Sequence, residues 1–422
     1  MVRGDLTSGA RYVVEAPADW NGTLLVWSPG YIGGRPGGEA TAGPGGVTRS
    51  WLLDEGYALA SSKPVGNGWA VEELLRDQVE VVGVSAAELG ATPERTIAWG
   101  DSMGGLTSAA LVENHPETFD GALPICASVA GGVGMLNQGL DGSFVFRTLL
   151  APDDDRLQLV DVTDERLRTT AAREVLTAAQ ETPAGRARIA FAAAVAQLST
   201  WSAEGTPEPG PRDWAAQQLQ QQSAFMFAVF SPRQPLEQRA GGNFSWNVGV
   251  DYHQQLVQSG SADLVRALYR EAGLDLDADL AALAAAPRIA ADREAVDYML
   301  ANATPRGAIQ RPVLTLHETG DNAPQVTQAR AYADAVTAAG SHQFLRQAFV
   351  DRPGHCRYSA SERAALLRTL EERIESGRWA ATASAKNLAE TEAAIDAETA
   401  LDLGEAGFVD YRPDRFLRAY YP

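Results

Sequence analysis

The sequence has few of the residues on which metal and nucleic-acid chemistry usually depend. Its 422 residues include only two cysteines and five histidines, and none of these are paired at the short spacing typical of a zinc site. Acidic residues outnumber basic ones by 54 to 35, which gives a net charge of -19. Such a charge argues against a nucleic-acid or anionic-membrane partner, because both need basic surface. We therefore expect no metal, no other cofactor and a small-molecule partner.

Long apolar runs are also missing. No run approaches the ~20 residues needed to cross a bilayer, and the start MVRGDLTSGARYVV lacks the basic and then apolar pattern of a signal peptide. These features predict a soluble protein with no membrane segment. It is either cytoplasmic or secreted after removal of a signal from a longer precursor.

What the sequence does contain is an alternation of predicted strands and helices at both of its ends. Apolar, β-branched runs bounded by Gly or Pro predict strands, and apolar residues at helical spacing predict the helices between them. The predicted strands have the sequences ARYVVEAP, GTLLVWSPG, YALASS, RTIAWG, DGALPICAS, RPVLTLHETGD and QFLRQAFV. This alternation predicts the α/β class, with a mostly parallel sheet covered by helices on both faces.

The middle of the chain breaks this alternation. Residues 133–305 are rich in Ala, Gln and Leu at helical spacing, so we interpret them as one large helical insertion between the two parts of an α/β core, 1–132 and 306–378. Residues 379–422 form a tail whose aromatic residues indicate that it packs back onto the core. The insertion follows the end of a predicted strand, and ligands of open α/β sheets bind beyond the carboxyl ends of the strands, so we expect the insertion to form a cap over the binding site.

One serine stands between glycines in the sequence GDSMGG, directly after the predicted strand RTIAWG and before a predicted helix. A sharp turn between strand and helix would lift the hydroxyl of Ser102 above the edge of the sheet, and a Cβ at Gly100 or Gly104 would clash in so tight a turn. The alternative is an incidental serine in a glycine-rich loop. The strand and helix on either side favour Ser102 as a nucleophile.

A serine hydroxyl needs a base, and the five histidines allow a choice by elimination. His115 ends a helix, His253 lies in the insertion, His317 is expected to be buried in a strand, and His342 precedes a strand in an exposed loop. His355 remains, in the loop DRPGHCRYS after the last predicted strand. That position suits an accessible imidazole acting as the base.

The acid that orients the histidine is expected after the preceding strand. Asp321 directly follows the run VLTLHETG, Glu318 is its nearest rival, and Asp351 is too close to His355 along the same loop. We assign the acid to Asp321, which gives the chain order Ser102, Asp321, His355.

With these three residues in order, the sequence resembles the α/β-hydrolase superfamily over residues 10–130 and 306–378, through the motifs GDSMGG, ETGD and GHC. The resemblance implies a serine hydrolase with Ser102 as nucleophile, His355 as general base and acid, and Asp321 as its partner. It also implies an oxyanion hole of backbone N–H groups, one from Met103 and a second from the loop WSPGYIGG at Tyr31.

The two cysteines raise a separate question. Cys356 follows His355, which is similar to the tannase and feruloyl-esterase branch, where that cysteine is bridged to one just before the serine. Here Asp101 occupies the second position, and the other cysteine is Cys126 at the end of a strand. We consider two states: a disulfide between Cys126 and Cys356 that fixes the histidine loop, or two reduced buried thiols.

Three functions remain open from the sequence. The first is hydrolysis of a carboxylic ester or lactone of a mainly apolar or aromatic small molecule through an acyl-enzyme. The second is amide or peptide cleavage, or acyl transfer, by the same triad. The third is a hydrolase-like scaffold used only for binding, against which the ordered triad argues. Aromatic and methionine residues in SAFMFAVF and NFSWNVGVDY are expected either to line the pocket or to form the core of the insertion.

Overall fold

The computed structural model describes residues 1–31, 33, 38–379 and 383–418. Within them, nine strands form one sheet in the order β1-β2-β4-β3-β5-β6-β7-β8-β9. The six strands from β4 to β8 in this order pair in parallel, and the pairs β1–β2, β2–β4 and β8–β9 are antiparallel. The predicted α/β class with a mostly parallel sheet is confirmed. The strands are β1 Val2–Asp5, β2 Arg11–Glu15, β3 Thr23–Ser28, β4 Ala58–Lys63, β5 Arg95–Asp101, β6 Gly121–Ile125, β7 Val313–Gly320, β8 Leu345–Pro353 and β9 Phe408–Val409.

Helices cover the sheet and fill the middle of the chain. Over the described part of the chain, no helix is both long enough and apolar enough to span a bilayer. The helices are α1 Gly46–Asp54, α2 Val71–Leu89, α3 Met103–Asn114, α4 Gly131–Leu150, α5 Glu165–Gln180, α6 Pro183–Val195, α7 Trp214–Val229, α8 Gln234–Ala240, α9 Tyr252–Gln258, α10 Ala262–Ala272, α11 Leu276–Ala285, α12 Arg293–Asn302, α13 Thr327–Ala338, α14 Ala360–Ser376 and α15 Ala385–Glu398. A 3-10 turn, His342–Phe344, precedes β8.

The central strands are buried on both faces because successive side chains point to opposite sides of the sheet. On one face the strand residues pack against α1, α14 and α15, and on the other against α2, α3 and α13. The first set includes Leu25, Leu59, Ile97 and Leu123, and the second includes Leu24, Ala58, Ala98 and Ala122. This double burial explains why the strand sequences are continuous apolar runs.

Helices α4 to α12 lie between β6 and β7. Helices α4 to α7 and α9 to α11 share a separate hydrophobic core, whereas α8 and α12 pack with α2 and α3. Phe225 and Phe230, from the aromatic sequence SAFMFAVF, are fully buried in that core beside Phe146. Phe227, from the same sequence, is 61% exposed. The aromatic residues of the insertion are therefore divided between its core and its surface.

The tail contacts both the core and the insertion. Helix α15 packs on α14, and β9 pairs with β8. Further along, Arg418 forms a buried ion pair with Asp141 of α4, with 3.0 Å between Nη1 and Oδ2. The sequence predicts that residues 379–422 pack on the core; residues 380–382 and 419–422 of that tail lie outside the described residues.

Candidate active site

Ser102 occupies the sharp turn between β5 and α3, with φ 59° and ψ -120°. The turn brings β5 and α3 so close to β3 that a Cβ at Gly100 would lie 2.5 Å from the carbonyl oxygen of Ser28, and one at Gly104 would overlap the same oxygen. Only glycine fits at these two positions. At Ser102 the backbone has a positive φ, a conformation that non-glycine residues rarely adopt. This strained serine is typical of a nucleophile elbow.

The structure brings Ser102, His355 and Asp321 into one hydrogen-bonded chain. His355 Nδ1–H donates to Asp321 Oδ2 at 2.8 Å, so its other ring nitrogen is an acceptor. The Ser102 hydroxyl donates to that nitrogen, His355 Nε2, at 3.0 Å. The Asp321 side chain is fully buried, and the His355 side chain is 26% exposed. This arrangement can remove a proton from the serine as it attacks a carbonyl carbon.

Glu318, the rival acid, lies in the same strand but makes different contacts. Its carboxylate is fully buried and accepts hydrogen bonds from the Arg357 N–H and the Tyr358 hydroxyl. Both donors belong to the chain just after His355. Glu318 therefore holds the histidine loop in place, whereas Asp321 contacts the imidazole itself. Asp351, the other candidate, accepts a hydrogen bond from Thr319.

Cys126 and Cys356 are joined by a disulfide, with their Cα atoms 5.4 Å apart. The bridge ties the histidine loop to the end of β6. Among the described residues, Cys126, His355 and Cys356 are the one group of three such side chains with potential metal-binding atoms close together. As long as the sulfurs are bonded to each other, they are poor metal ligands, because a metal binds the thiolate form.

His317 is a contact of Asp321 that sequence reasoning missed. The sequence predicts that His317 is buried in a strand, and it is 2% exposed. Its Nε2–H donates to the Pro324 carbonyl at 3.2 Å and lies 3.4 Å from Asp321 Oδ2. The carboxylate is thus held from two sides by two imidazoles. The four-residue spacing of His317 and Asp321 is the only sequence signal of this contact.

Asp101, next to the nucleophile, forms a second unpredicted contact. Its carboxylate accepts two hydrogen bonds from the guanidinium of Arg363 on α14, at 2.8 and 2.7 Å. A bidentate ion pair of this kind fixes the relative orientation of the guanidinium and the carboxylate. In the tannase-like branch a cysteine at this position ties the elbow to the histidine loop, whereas here an ion pair ties the elbow to α14.

The charges around the imidazole set its proton affinity. Burial alone lowers the pKa of His355, but the carboxylate of Asp321 and its hydrogen bond, followed by Glu318 and Asp101, raise it above the ordinary 6.5. For Asp321, burial raises the pKa, yet the charge of His355 and hydrogen bonds from His317 and His355 lower it overall. Burial, and then repulsion from Asp321, raise the pKa of Glu318 to about 7.

These shifts predict a pH dependence. A histidine that acts as a base must be neutral, so kcat/KM falls on the acid side with a midpoint above pH 6.5. Glu318→Gln removes a negative charge that raises the pKa of His355, so we expect the midpoint to move to lower pH. The exposed Asp351→Asn is the matched control and leaves the midpoint where it is. An unchanged or higher midpoint in Glu318→Gln, measured with its fold intact, contradicts this electrostatic account.

The two residues predicted for the oxyanion hole belong to different segments: Met103 directly follows Ser102, and Tyr31 lies in the loop after β3. Met103 is the first residue of α3, and the first N–H groups of a helix have no partner within it. Tyr31 is 41% exposed, with its ring 6.0 Å from Trp69. Its neighbour Gly30 is so placed that a Cβ there would lie 3.6 Å from Ser102 Cβ. Residues 32 and 34–37 of the same predicted loop lie outside the described residues.

Phe227, near the end of α7, is an aromatic side chain that the insertion places beside His355. The centroid of its ring is 6.2 Å from that of His355. An exposed phenyl ring next to a reactive group offers an apolar contact for a substrate. Sequence periodicity identified the helix but not which of its aromatic residues faces the imidazole.

Three comparisons place these features among known proteins. The prolyl oligopeptidase family matches residues 65–149, which include Ser102. The o-phthalyl amidase of Xanthobacter agilis is 30% identical over 411 residues, covering 90% of this chain and 88% of the amidase. Among similar solved structures, feruloyl esterase B from Aspergillus oryzae is 12% identical; the match covers 89% of this chain and 80% of the esterase, with a TM-score of 0.40. The proline iminopeptidase of Mycobacterium smegmatis is 14% identical; the match covers 94% of this chain and 100% of the peptidase, with a TM-score of 0.36.

Proposed function

Because the chain belongs to the α/β-hydrolase superfamily of serine hydrolases, and within it to the family of the Xanthobacter agilis o-phthalyl amidase, we propose that Ser102, His355 and Asp321 are its catalytic triad. The observation that carries the proposal is the continuous hydrogen-bonded chain from the Ser102 hydroxyl through both nitrogens of His355 to the buried Asp321. No cofactor takes part in the proposed reaction.

The reaction proceeds in two halves. His355 Nε2 takes the hydroxyl proton as Ser102 Oγ bonds to the carbonyl carbon, and the imidazolium then gives that proton to the leaving group. The acyl group remains on Ser102. A water molecule repeats the attack with His355 as base, which releases the carboxylic acid and restores the serine hydroxyl. Asp321 keeps Nδ1 protonated, so that Nε2 is always the nitrogen that accepts.

The tetrahedral intermediate carries a negative oxygen that needs hydrogen-bond donors. We assign the backbone N–H groups of Met103 and Tyr31 to this oxyanion hole. Two facts support the assignment: Met103 begins a helix, where N–H groups lack intrahelical partners, and the loop that carries Tyr31 passes against Ser102.

The substrate we propose is an amide of a small aromatic carboxylic acid. The similarity to an o-phthalyl amidase supports both the aromatic acyl group and the amide bond, and the exposed ring of Phe227 beside His355 supports an apolar aromatic contact. From the sequence alone the ester came first and the amide second. We place the amide first here because the relative is an amidase.

A carboxylic ester or lactone of the same acid is the second candidate. An alkoxide or phenoxide is a better leaving group than an amine anion, so a triad that cleaves amides also cleaves the corresponding esters. The helical insertion 133–305 would act as a cap that selects the acyl group in both cases. The proposal that the insertion acts as a cap is supported by Phe227, which lies beside His355 and belongs to α7 of the insertion.

A matched panel of substrates tests this proposal. Purified enzyme is assayed with anilides and phenyl esters of phthalic, benzoic and acetic acid, and kcat/KM is compared within each leaving group. We expect the aromatic acids to be preferred over acetic acid in both series, and the anilides to be hydrolysed. Cleavage of the esters alone supports the second candidate, and a preference for acetyl substrates contradicts the proposed acyl group.

Replacement of Phe227 tests the acyl contact directly. Loss of one apolar contact at a binding pocket costs about 1–3 kcal/mol, so we expect Phe227→Ala to lower kcat/KM for benzoyl substrates by about tenfold or more and to change acetyl substrates little. Leu219→Ala is the control, since Leu219 is also exposed on α7 but lies two turns earlier. Equal losses on benzoyl and acetyl substrates would show that Phe227 supports the triad instead of the acyl group.

A further inference from the structure

We propose that Arg363 is a positioning residue for the reaction at Ser102: through its ion pair with Asp101 it fixes the serine against the histidine loop and compensates a negative charge near the imidazole. This inference rests on the proposed triad and adds to it a residue that contacts neither the substrate nor the reacting atoms. Local sequence patterns do not reveal this residue, because Arg363 and Asp101 are 262 positions apart.

The ion pair is bidentate and largely buried. Arg363 Nη1 and Nη2 donate to Asp101 Oδ1 and Oδ2 at 2.8 and 2.7 Å. The arginine side chain is 7% exposed and the aspartate side chain 19% exposed. The guanidinium also lies over the ring of Tyr358, 5.5 Å from its centroid, and a guanidinium is attracted to the face of an aromatic ring. A carboxylate and a ring therefore hold Arg363 in one orientation.

The pair joins the two segments that carry the nucleophile and the base. Asp101 is the last residue of β5 and directly precedes Ser102. Arg363 lies in the first turn of α14, the helix that begins shortly after His355. Asp101 and Ser102 share a planar peptide unit, so a contact that fixes the first also limits movement of the second.

Three neighbouring strands of the sheet hold the histidine loop and the helix after it, each by a different contact. β7 does so through two carboxylates, and β6 through the disulfide. Neither of these strands carries the serine. The Asp101–Arg363 pair supplies the link from β5, so it helps to set the distance between the serine and the imidazole. A misplacement of about 1 Å between reacting groups can cost ~10²-fold in rate.

The pair also changes the charge that acts on the imidazole. Burial lowers the pKa of His355, and three carboxylates raise it above the ordinary value, in the order Asp321, Glu318, Asp101. The guanidinium of Arg363 lies against the third of these carboxylates and compensates its charge. Salt screens buried charges only weakly. Removal of either partner alone should therefore change the proton affinity of the imidazole.

Other titratable groups face the same region from the elements packed around it. They are Glu318, His317 and Asp321 of β7, Arg352 of β8, Arg357 and Tyr358 of the histidine loop, Glu362 of α14 and Glu204 of the insertion. The two arginines are paired with Glu362 and Glu204. Burial, and then the charge of Glu318, raise the pKa of Tyr358 well above its ordinary value, so its hydroxyl stays neutral. Replacement of either partner of the Asp101–Arg363 pair leaves all of these groups in place.

One variant tests the positioning role with the charge kept. Arg363→Lys retains the positive charge but cannot form the two parallel hydrogen bonds to Asp101. We expect kcat to fall by about tenfold or more, KM to change little, and the midpoint of the acid side of kcat/KM to stay where it is in the wild type. All rates are measured on the full chain with one aryl ester.

Three further variants test the charge. Arg363→Gln leaves the carboxylate of Asp101 uncompensated, which favours the imidazolium, so the midpoint should move to higher pH. Asp101→Asn leaves the guanidinium uncompensated, so the midpoint should move to lower pH. The double variant Asp101→Asn/Arg363→Gln has no unpaired buried charge and should fold even where a single variant does not. We expect its midpoint to return towards the wild-type value while its kcat stays low.

Arg188→Lys is the matched control. Arg188 also forms a bidentate pair, with Nε and Nη2 donating to the carboxylate of Asp279 at 2.8 and 2.9 Å, but both residues belong to the insertion. We expect this variant to keep the wild-type kcat and midpoint. The folded state of every variant is measured by circular dichroism and thermal denaturation.

Several outcomes overturn the proposal. These are a wild-type kcat in Arg363→Lys, midpoints that move in the same direction in Arg363→Gln and Asp101→Asn, an equal loss of kcat in Arg188→Lys, and loss of the folded state in Arg363→Lys. The last would show that the chain needs the pair in order to fold. Ser102→Ala in the same assay tests the proposed function separately: if it is inactive while Arg363→Lys keeps the wild-type rate, the triad stands and only the role of Arg363 is wrong.

Discussion

Replacement of Ser102 by alanine is expected to lower kcat by ~10⁴ to 10⁶, the loss seen when one member of a triad is removed. The methyl group of alanine cannot form the bond to the carbonyl carbon, and the hydrogen bond to His355 Nε2 disappears with the hydroxyl. Alanine keeps the Cβ of serine, so the elbow between β5 and α3 should retain its shape. The rate is measured with an aryl ester, and folding by thermal denaturation.

Ser108→Ala is the matched control for this variant. Ser108 is a buried serine on α3, the helix that follows Ser102, and its hydroxyl donates to the Gly104 carbonyl at 2.8 Å, not to the imidazole. We expect it to keep most of the wild-type rate. If Ser102→Ala retained more than a tenth of the wild-type kcat, Ser102 would not be the nucleophile.

The second large effect concerns the two partners of the serine. His355→Ala should be about as damaging as Ser102→Ala, because the three residues act as a unit. Asp321→Asn should cost somewhat less, on the order of 10⁴ in kcat. An asparagine NH₂ facing Nδ1 favours the imidazole with its proton on Nε2, and that form cannot accept the proton of Ser102.

Glu318→Gln provides the comparison that decides the acid. Glu318 is three residues away and equally buried, but it contacts Arg357 and Tyr358 instead of the imidazole. Its replacement should therefore cost much less in kcat than Asp321→Asn. If Glu318→Gln proved the more damaging of the two under the same conditions, the assignment of the acid to Asp321 would be wrong.

The sheet could be predicted from the sequence because each central strand can be recognised from its own short stretch of residues. β3, β5 and β7 are continuous apolar runs with turn residues at their ends, since both of their faces are buried. β1 has the sequence VRGD and β9 has only two residues. Neither pattern predicts a strand, because each forms only by antiparallel pairing with a neighbour that the sequence does not identify.

The candidate site shows the same division. Ser102, Asp321 and His355 each follow a strand, so their order and position could be inferred from local patterns. The contact of Asp101 with Arg363 joins residues 262 positions apart. The exposure of Phe227, with Phe225 and Phe230 buried, depends on how the helices of the insertion pack on one another. Contacts between residues far apart in the chain cannot be predicted from the spacing of apolar residues within one helix.

Labelling with a fluorophosphonate tests the central claim, that Ser102 is an activated nucleophile, most directly. The reagent forms a covalent bond only with a serine whose proton is removed by a neighbouring base, so it also separates an enzyme from a binding scaffold. The account predicts one adduct per chain by intact mass, mapped to the peptide that contains GDSMGG, and none in Ser102→Ala or His355→Ala. An unlabelled wild-type protein with its fold intact, or an adduct on any other serine, would contradict it.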